Sequence, residues 1–283
     1  MAASVREIKN RIGNIENIRQ ITKAMNAIAM TKVTRMKRRL AEARPYMEEL
    51  DLLVAAALAQ QVDEVEPNAL TIGNGSPETG ILVLNSDRGL CGRFKGELNR
   101  KGDELLRESR HSAKILAGGE KARAYFAHRN VEILKDYSYF YEDPTPQIAA
   151  QIASDLISFH LEATLGKVIL VYTRFLSDLS QRLIVEEILP IKVEAKGGER
   201  LSEPNPAQML AVILPLYLQG KIFDALLHTK TSEDAIRRQA MKSATDNADD
   251  LLTTLRRSYN KARQQSITRE ISDIMGGAEA LRG

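Results

Sequence analysis

Lys242 to Arg282 reads KSATDNADDLLTTLRRSYNKARQQSITREISDIMGGAEALR, a stretch without proline in which apolar or small residues recur every three or four positions. This spacing places them on one face of an α-helix. The face comprises Ala244, Ala248, Leu251, Leu255, Tyr259, Ala262, Ile267, Ile271, Ile274, Ala278 and Leu281. We predict one long helix here, beginning at Asn205-Pro206 and ending near Met275, where Gly276 and Gly277 follow. A bend at Pro215 or a weakening near Thr231 and Ser232 remains open.

The other end of the chain repeats the pattern over residues 5–62. Its apolar positions are Val5, Ile8, Ile12, Ile15, Ile18, Ile21, Met25, Ile28, Val33, Met36 and Leu40. Three-residue steps at Ile15, Ile18 and Ile21 predict a local overwinding of any coiled coil formed here. At 1.5 Å per residue such helices reach roughly 60–85 Å, too long for both to be buried in one globule.

Two long apolar stripes of matching length must cover each other. Because the chain leaves along one helix and returns along the other, we predict an antiparallel coiled coil of the N- and C-terminal helices, projecting from a central domain. We place the boundaries at 1–66, 67–204 and 205–283. The flanking stretches around residues 67–80 and 196–206 are rich in Gly, Pro and polar residues, as linkers are.

The middle of the chain predicts an α/β domain. Ile81–Leu84, Lys114–Ala117 and Val168–Thr173 are apolar runs of strand length, and helical segments separate them at 97–109, 120–128 and 146–165. Strands that are apolar on both faces and alternate with helices indicate a largely parallel sheet. Phe175–Leu179 and Arg182–Ile191 could add antiparallel strands at one edge.

Charge and composition narrow the classes of partner. The net charge is only +3, but residues 19–44 carry eight cations and a single acid, Glu42. A basic helix suits nucleic acid, anionic lipid or an acidic protein, and a solvated face is the simplest alternative. With no tryptophan and 5% aromatic residues there is no base-stacking platform, so we expect no nucleic acid. We see no membrane span, and expect any membrane association to go through partners.

We find no catalytic, metal or cofactor constellation. The turn after the first predicted strand, Asn85 to Gly92, lacks the P-loop and dinucleotide patterns, and Gly118-Gly119 is a weak signal of the same kind. A plain strand-to-helix turn is the better interpretation of both. The four histidines have no metal spacing. Cys91, the single cysteine, is more typical of a small buried residue than of a nucleophile.

Four motifs, in order along the whole chain, resemble the gamma subunits of F-type ATP synthases. They are IKNRI and ITKAM near the N-terminus, SDRGLCG from Ser86, and ARQQSITREI from Ala262 with GGAEAL following. The resemblance implies a coiled coil of the terminal helices with a Rossmann-like domain. It also implies a non-catalytic rotor, one copy per complex, that couples ion flow to ATP synthesis and regulates ATPase activity.

The implied partners are the alpha and beta subunits of the catalytic hexamer, the epsilon subunit and the c-ring, on the cytoplasmic face of a bacterial plasma membrane. By the same resemblance, Arg263 and Gln264 contact a beta-subunit loop, with Thr268 and Glu270 just beyond them. Lys23 and Met25 face an acidic loop of the beta subunits. From the residues alone, coiled-coil packing for Met25 and a solvated charge for Arg263 remain open.

Overall fold

The computed structural model describes residues 5–59, 68–109, 112–192 and 206–280. Two long helices bound this part of the chain, α1 (Val5–Ala59) and α5 (Pro206–Ala280). The chain divides into two compact units, and each of these helices contributes to both. One unit comprises Met1–Ile28 with Arg238–Gly283, and the other Ala29–Arg237. The domain boundaries predicted at 66/67 and 204/205 lie outside the described residues and stay a prediction.

The Ala29–Arg237 unit contains a five-stranded sheet in the order β3-β2-β1-β4-β5. Its strands are β1 (Thr79–Leu84), β2 (Ala113–Gly118), β3 (Ile133–Asp136), β4 (Lys167–Ser177) and β5 (Ser180–Leu189). The first four are parallel, and β5 pairs antiparallel with β4. The intervening helices are α2 (Phe94–Glu108), α3 (Glu120–Ala127) and α4 (Pro146–Leu161).

Both faces of this sheet are covered, which explains the continuous apolar strands. Leu82 and Leu84 of β1 pack on one side with α4 and with segments of α1 and α5. Ile81 and Val83 face the other side, against α2 and α3. The predicted α/β class with a largely parallel sheet is therefore confirmed, since alternate residues of β1 enter separate cores.

The sheet differs from the sequence prediction at its two edges. β3 was not predicted, because its four residues ILKD are too few and too polar to form an apolar run, and none of them is fully buried. Phe175–Leu179 is not a separate strand, since β4 continues to Ser177. The chain turns at Asp178-Leu179, and the strand after the turn begins at Ser180.

Acidic loops of the α/β domain neutralise much of the basic segment of α1. Lys32 pairs with Glu142 at 2.9 Å and Lys37 with Asp178 at 3.0 Å. Arg39 pairs with Asp143 at 2.6 Å and donates to the carbonyl of Pro144. These cations hold the helix against the domain and are not simply a solvated face.

Helix α5 is longer and more continuous than its sequence predicts. Pro215 lies inside it, and it runs past Gly276 and Gly277 to Ala280. Within the described residues, α5 is long and apolar enough over one window to cross a membrane, but half of that window is buried inside the protein. A core helix passes the same test, and the contacts of Leu214, Leu218 and Ile222 with the domain core place this part of α5 there.

Candidate functional site

The candidate site is the unit formed by the two ends of the chain. Glu16 of α1 pairs with Arg256 of α5 at 3.4 Å, and Arg19 with Asp249 at 3.0 Å. Further along α1, the hydroxyl of Thr245 lies 2.8 Å from that of Thr22. As the residue number rises along α1 it falls along α5, so the two helices are antiparallel, as predicted.

The seam between these helices follows a regularly spaced subset of their buried and half-buried positions. In α1 they are Ile8, Ile12, Ile15, Arg19, Thr22 and Asn26, and in α5 Met241, Thr245, Ala248, Leu252, Leu255, Tyr259 and Ala262. Both series step by four and three residues alternately, the heptad spacing of a coiled coil. The coiled-coil prediction is confirmed. The three-residue steps at Ile15, Ile18 and Ile21 do not follow this seam, and the local overwinding stays a prediction.

The seam follows different residues from those that the apolar pattern selected. Ile18 and Ile21 are 48% and 59% exposed, while their neighbours Arg19 and Thr22 turn inward. In α5, Leu251 is 44% exposed and Leu252 only 3%. The apolar stripe chosen from the sequence was therefore one position off at these places. In α1 it passed over the polar residues Arg19 and Thr22, which have partners across the seam, and in α5 it took the wrong one of two adjacent leucines.

A polar layer interrupts the apolar seam at Arg19 and Thr22. The Thr22 hydroxyl donates to the carbonyl of Arg19 and accepts from Thr245, whose alternative acceptor is the carbonyl of Met241. The guanidinium of Arg19 donates to Asp249, although its Nε is buried without a hydrogen-bond partner. A polar layer of this kind fixes the register of a coiled coil at some cost in stability.

Beyond Ala262, every side chain of α5 that the structure describes is exposed. Four predicted contact residues lie in this part of the helix: Arg263, Gln264, Thr268 and Glu270. Thr268 donates to the carbonyl of Gln264 at 3.0 Å, and Ser266 lies 3.5 Å from the carboxylate of Glu270. These side chains are held only by their own helix and are available to a partner.

An apolar stripe that the sequence assigned to the seam is left uncovered on the same part of α5. Ile267, Ile271, Ile274 and Met275 are 46%, 52%, 72% and 67% exposed. Steps of four and three residues put the isoleucines on one face of the helix. An exposed apolar stripe on a charged helix marks an interaction surface.

The other two predicted residues, Lys23 and Met25, lie on α1 next to Thr22. Lys23 is exposed and Met25 is half-buried. Because Thr22 is paired with Thr245, they lie about 27 Å along the coiled coil from Arg263, at 1.5 Å per residue. The six predicted residues thus form two separate groups on one pair of helices.

The turn after β1 has most of its polar groups occupied from within, although one carboxylate oxygen of Asp87 is buried without a hydrogen-bond partner. The side-chain amide of Asn85 donates to Asn99 and to the carbonyl of Lys95. One carboxylate oxygen of Asp87 accepts the backbone N–H groups of Glu120 and Tyr139. These bonds connect the ends of neighbouring strands and leave little for a nucleotide to bind.

Two further features of this turn have structural explanations. A side chain at Gly119 would approach the carbonyl oxygen of Asn85 to 2.6 Å, so this glycine permits close backbone packing. The hydroxyl of Tyr141 donates to the same carbonyl at 2.6 Å. Burial, reinforced by the charges of Asp87 and Glu233, raises the pKa of Tyr141, so its hydroxyl stays protonated.

Cys91, in the same turn, is buried. Among the described residues, no group of histidine, cysteine and acidic side chains could hold a metal ion.

The chain has an α/β domain, and its two ends form an antiparallel coiled coil. This combination defines a class of protein whose candidate site lies on helix surfaces and not in a pocket. The family model for ATP synthase matches residues 4–281. The gamma chain of the ATP synthase of Moorella thermoacetica is 36% identical over 283 residues, which cover 99% of this chain and all of the relative. That of Mycobacterium tuberculosis is 38% identical, over 99% of both chains. The protein belongs to the ATP synthase gamma chain family.

Solved structures agree on the fold. A chain from the mitochondrial ATP synthase of Euglena gracilis, in rotational state 3, superposes with a TM-score of 0.69 at 18% identity, over 98% of this chain and 94% of that one. A chain from the central stalk and c-ring of the Tetrahymena thermophila enzyme gives 0.61 at 22% identity, over 79% and 99%. The same architecture therefore persists in chains whose sequences have diverged widely.

Proposed function

We propose that this protein is the central rotor subunit of an F-type ATP synthase, and that it transmits rotation between an ion-driven c-ring and a catalytic hexamer of alpha and beta subunits. The observation that carries the proposal is the antiparallel pairing of the two chain ends, together with an exposed stretch of α5 beyond the last paired residue. Its relatives named as gamma chains match over their full length. The subunit is non-catalytic, and ATP is made and hydrolysed on partner chains.

A shaft must be stiff and must turn within its bearing. Two helices that pack in a heptad seam resist bending and twisting better than one. Beyond the seam, Arg263, Gln264, Thr268 and Glu270 are polar and exposed, which suits a sliding contact better than deep apolar packing does. We assign these four residues, with Lys23 and Met25, to contacts with the beta subunits.

The paired helices also supply the asymmetry that a rotary motor needs. One chain contributes two unequal helices, so the coiled coil has no threefold symmetry. Each of three identical catalytic subunits then meets a different surface, and rotation changes which conformation each of them favours. Coupling of ion flow to ATP synthesis, and regulation of ATPase activity, follow from the same contacts.

The remaining partners and the location complete the proposal. The α/β domain binds the epsilon subunit and the c-ring, one copy of the protein is present in each complex, and the membrane is reached only through partners. The protein is then peripheral, on the cytoplasmic face of a bacterial plasma membrane. The segments 1–66, 67–204 and 205–283 serve as the first coiled-coil helix, the central domain and the second helix.

Crosslinking separates a rotor from a static adaptor built of the same helices. Cys91 is only 1% exposed, so a cysteine introduced by Lys23→Cys would be the reactive thiol of the chain. Crosslinking it to a cysteine in one beta subunit of the assembled complex should stop ATP hydrolysis, and reduction should restore it. Normal hydrolysis in the crosslinked complex would support an adaptor and refute the rotor.

The double variant Arg263→Ala/Gln264→Ala tests the assigned contact. Both residues are exposed, so the chain should fold normally, while ATP synthesis in the reconstituted complex should fall. Arg107→Ala, an exposed arginine on α2, is the control. Unchanged synthesis and hydrolysis in the double variant would remove these two residues from the site. Tight binding of ATP or NAD to the isolated chain, in equilibrium dialysis, would instead favour an enzyme that uses the α/β domain.

A further inference from the structure

The most polar stretch of α5 is also its most deeply buried. Thr229, Lys230, Thr231, Ser232, Glu233 and Asp234 follow one another and are each at most 3% exposed. We call Thr229–Asp234 the buried polar segment. Successive helix residues are rotated by about 100°, so six of them cover the whole circumference. The helix is therefore enclosed on all sides at this level, by side chains and loops of the Ala29–Arg237 unit.

This enclosure lies where an α/β domain of this topology ordinarily binds a ligand. From β1 the chain proceeds to β2 and β3 on one side, and β4 then adds on the other side of β1. The crevice at the carboxyl ends of β1 and β4 is the usual ligand site of such sheets. Here Ser232 donates to the carbonyl of Thr173 on β4 at 3.1 Å, and Arg237 approaches the carbonyl of Gly89, after β1, at 3.5 Å.

The charges enclosed there balance one another. Lys230 lies 2.7 Å from Glu233 and 3.7 Å from Glu142, which also pairs with Lys32. Arg237 pairs with both Glu233 and Asp234. Glu142 also pairs with the exposed Arg88 at 3.8 Å, so four cations face three carboxylates in all. At the buried centre the charges balance, since Lys230 and Arg237 face Glu233 and Asp234. A phosphate site needs an excess of positive charge or free N–H groups. In this cluster the ammonium of Lys230 and the guanidinium of Arg237 are already paired with carboxylates of the same chain.

The pKa of Lys230 fits this arrangement. Burial alone would lower the pKa of the ammonium group, but the adjacent carboxylate of Glu233 and the more distant Glu142 outweigh it and raise the pKa. The group therefore stays charged in the interior, where a buried charge is tolerated only while it is paired.

Polar enclosure constrains a helix differently from apolar packing. Apolar contacts are non-directional and fix the position of a helix through close packing alone. Hydrogen bonds and ion pairs weaken steeply when their geometry changes, and a buried charge that loses its partner is strongly destabilising. A small rotation of α5 would break the contacts of Ser232 with Thr173, Lys230 with Glu142 and Arg237 with Gly89 together. The pairs that Glu233 and Asp234 make lie within α5 and would turn with it.

We propose that the buried polar segment, with the adjacent Arg237, is the joint through which torque passes between α5 and the α/β domain. Lys230, Ser232 and Arg237 are its positioning residues, because each contacts the domain. The domain thus binds its own helix in the crevice where related topologies bind a small molecule. This inference rests on the proposed rotor function. It assigns torque transfer to particular bonds. Neither the family resemblance nor the apolar core says which bonds these are.

The test removes one cation and one anion together, so that the cluster stays balanced. The double variant Lys230→Met/Glu233→Gln nearly keeps the volumes of both side chains. We expect its chain to fold and the assembled complex to hydrolyse ATP. ATP-driven ion pumping in vesicles should be lost or strongly reduced. Lys101→Met/Glu104→Gln is the control. It removes the same two residue types at the same sequence spacing, from an exposed ion pair on α2 whose charged groups lie 3.0 Å apart.

Hydrogen exchange of the isolated chain gives a second measurement that does not depend on rotation. Amides of residues 229–235 should exchange about 1,000-fold or more slowly than those of the exposed residues 263–275. The double variant should exchange faster than wild type at 229–235, and the control variant should not. Ser232→Ala, which loses only the bond to Thr173, is the milder substitute if the double variant does not fold, and it should also pump less.

Different results would overturn different proposals. Full ion pumping by the double variant, or by Ser232→Ala if that substitute is needed, would overturn the joint and leave the rotor in place. Fast exchange at 229–235 in wild type would also overturn it. Continued hydrolysis after crosslinking through Lys23→Cys would instead overturn the rotor, whatever the exchange rates are.

Discussion

Two adjacent leucines of α5 offer a sharp test of the coiled-coil seam. The structure buries Leu252, which is 3% exposed, and leaves Leu251 44% exposed. The apolar pattern of the sequence selects Leu251 for the seam. Leu251→Ala and Leu252→Ala change the same residue type at neighbouring positions of one helix, so helix propensity changes equally in both.

The expected losses differ because only one of the two side chains leaves a cavity. A buried leucine replaced by alanine costs about 2–5 kcal/mol, and we expect Leu252→Ala to fall in this range. Folding buries roughly half of Leu251, and full burial of such a side chain contributes about 1.5–3 kcal/mol, so its loss is at most about 0.8–1.7 kcal/mol. Solvent fills the space at Leu251, and no cavity is added.

Amide hydrogen exchange of residues 12–28 and 241–262 in the purified chain measures the free energy of opening of the paired helices alone. Circular dichroism of both variants would establish that the helices still form. We expect the Leu252 variant to open more readily than the Leu251 variant by about 1 kcal/mol or more, a factor of about five. Equal opening, or the reverse order, would refute the seam.

Three further predictions concern α5. Burial and then repulsion by Glu233 raise the pKa of Asp234 above its ordinary 3.8, so folding disfavours the ionised carboxyl, and Asp234→Asn should unfold at a higher temperature than wild type at pH 7. This gain should shrink as the pH falls through the raised pKa, because the wild-type carboxyl becomes neutral as well, and a lower melting temperature at pH 7 would contradict it. Leu255→Pro should break α5 within the seam at a cost of about 3 kcal/mol or more and reduce copurification with the alpha and beta subunits. A stable variant that assembles normally would contradict a continuous α5 helix at this position. Ile271→Ser/Ile274→Ser should leave the melting temperature of the isolated chain unchanged, since both residues are exposed, but weaken assembly measured by gel filtration, and a lower melting temperature would mean that the stripe is covered within the chain.

Several structural features could be predicted from residue patterns alone. Runs such as Ile81–Leu84 are apolar on consecutive positions, which only a strand covered on both faces requires, and the structure has β1 there. The helical period near both termini persists far beyond the length of an ordinary helix, and α1 and α5 follow it. Such patterns predict secondary structure well because each depends only on the residues of one segment and on which of them avoid water.

The residues of the candidate site were harder to predict, because their burial and partners depend on segments far away in the sequence. Ile21 looks like a better seam residue than Thr22, yet Thr22 turns inward toward a hydroxyl 223 positions along the chain. Glu270 and Arg263 were proposed through the family motif alone, and no periodicity distinguishes them from other exposed polar residues of α5. The structure adds that they lie where α5 has no partner helix among the described residues.

The amino-acid sequence by itself determined that the protein has two long terminal helices, an α/β domain between them and an antiparallel return of the chain. Hydrophobic period and chain connectivity are enough for those conclusions. Only the tertiary structure decided which side of each helix forms the seam and that Thr229–Asp234 is buried. A polar or charged side chain can enter the interior only when a matching group reaches it, and Thr173 and Glu142 are brought to α5 by folding, not by proximity in the chain.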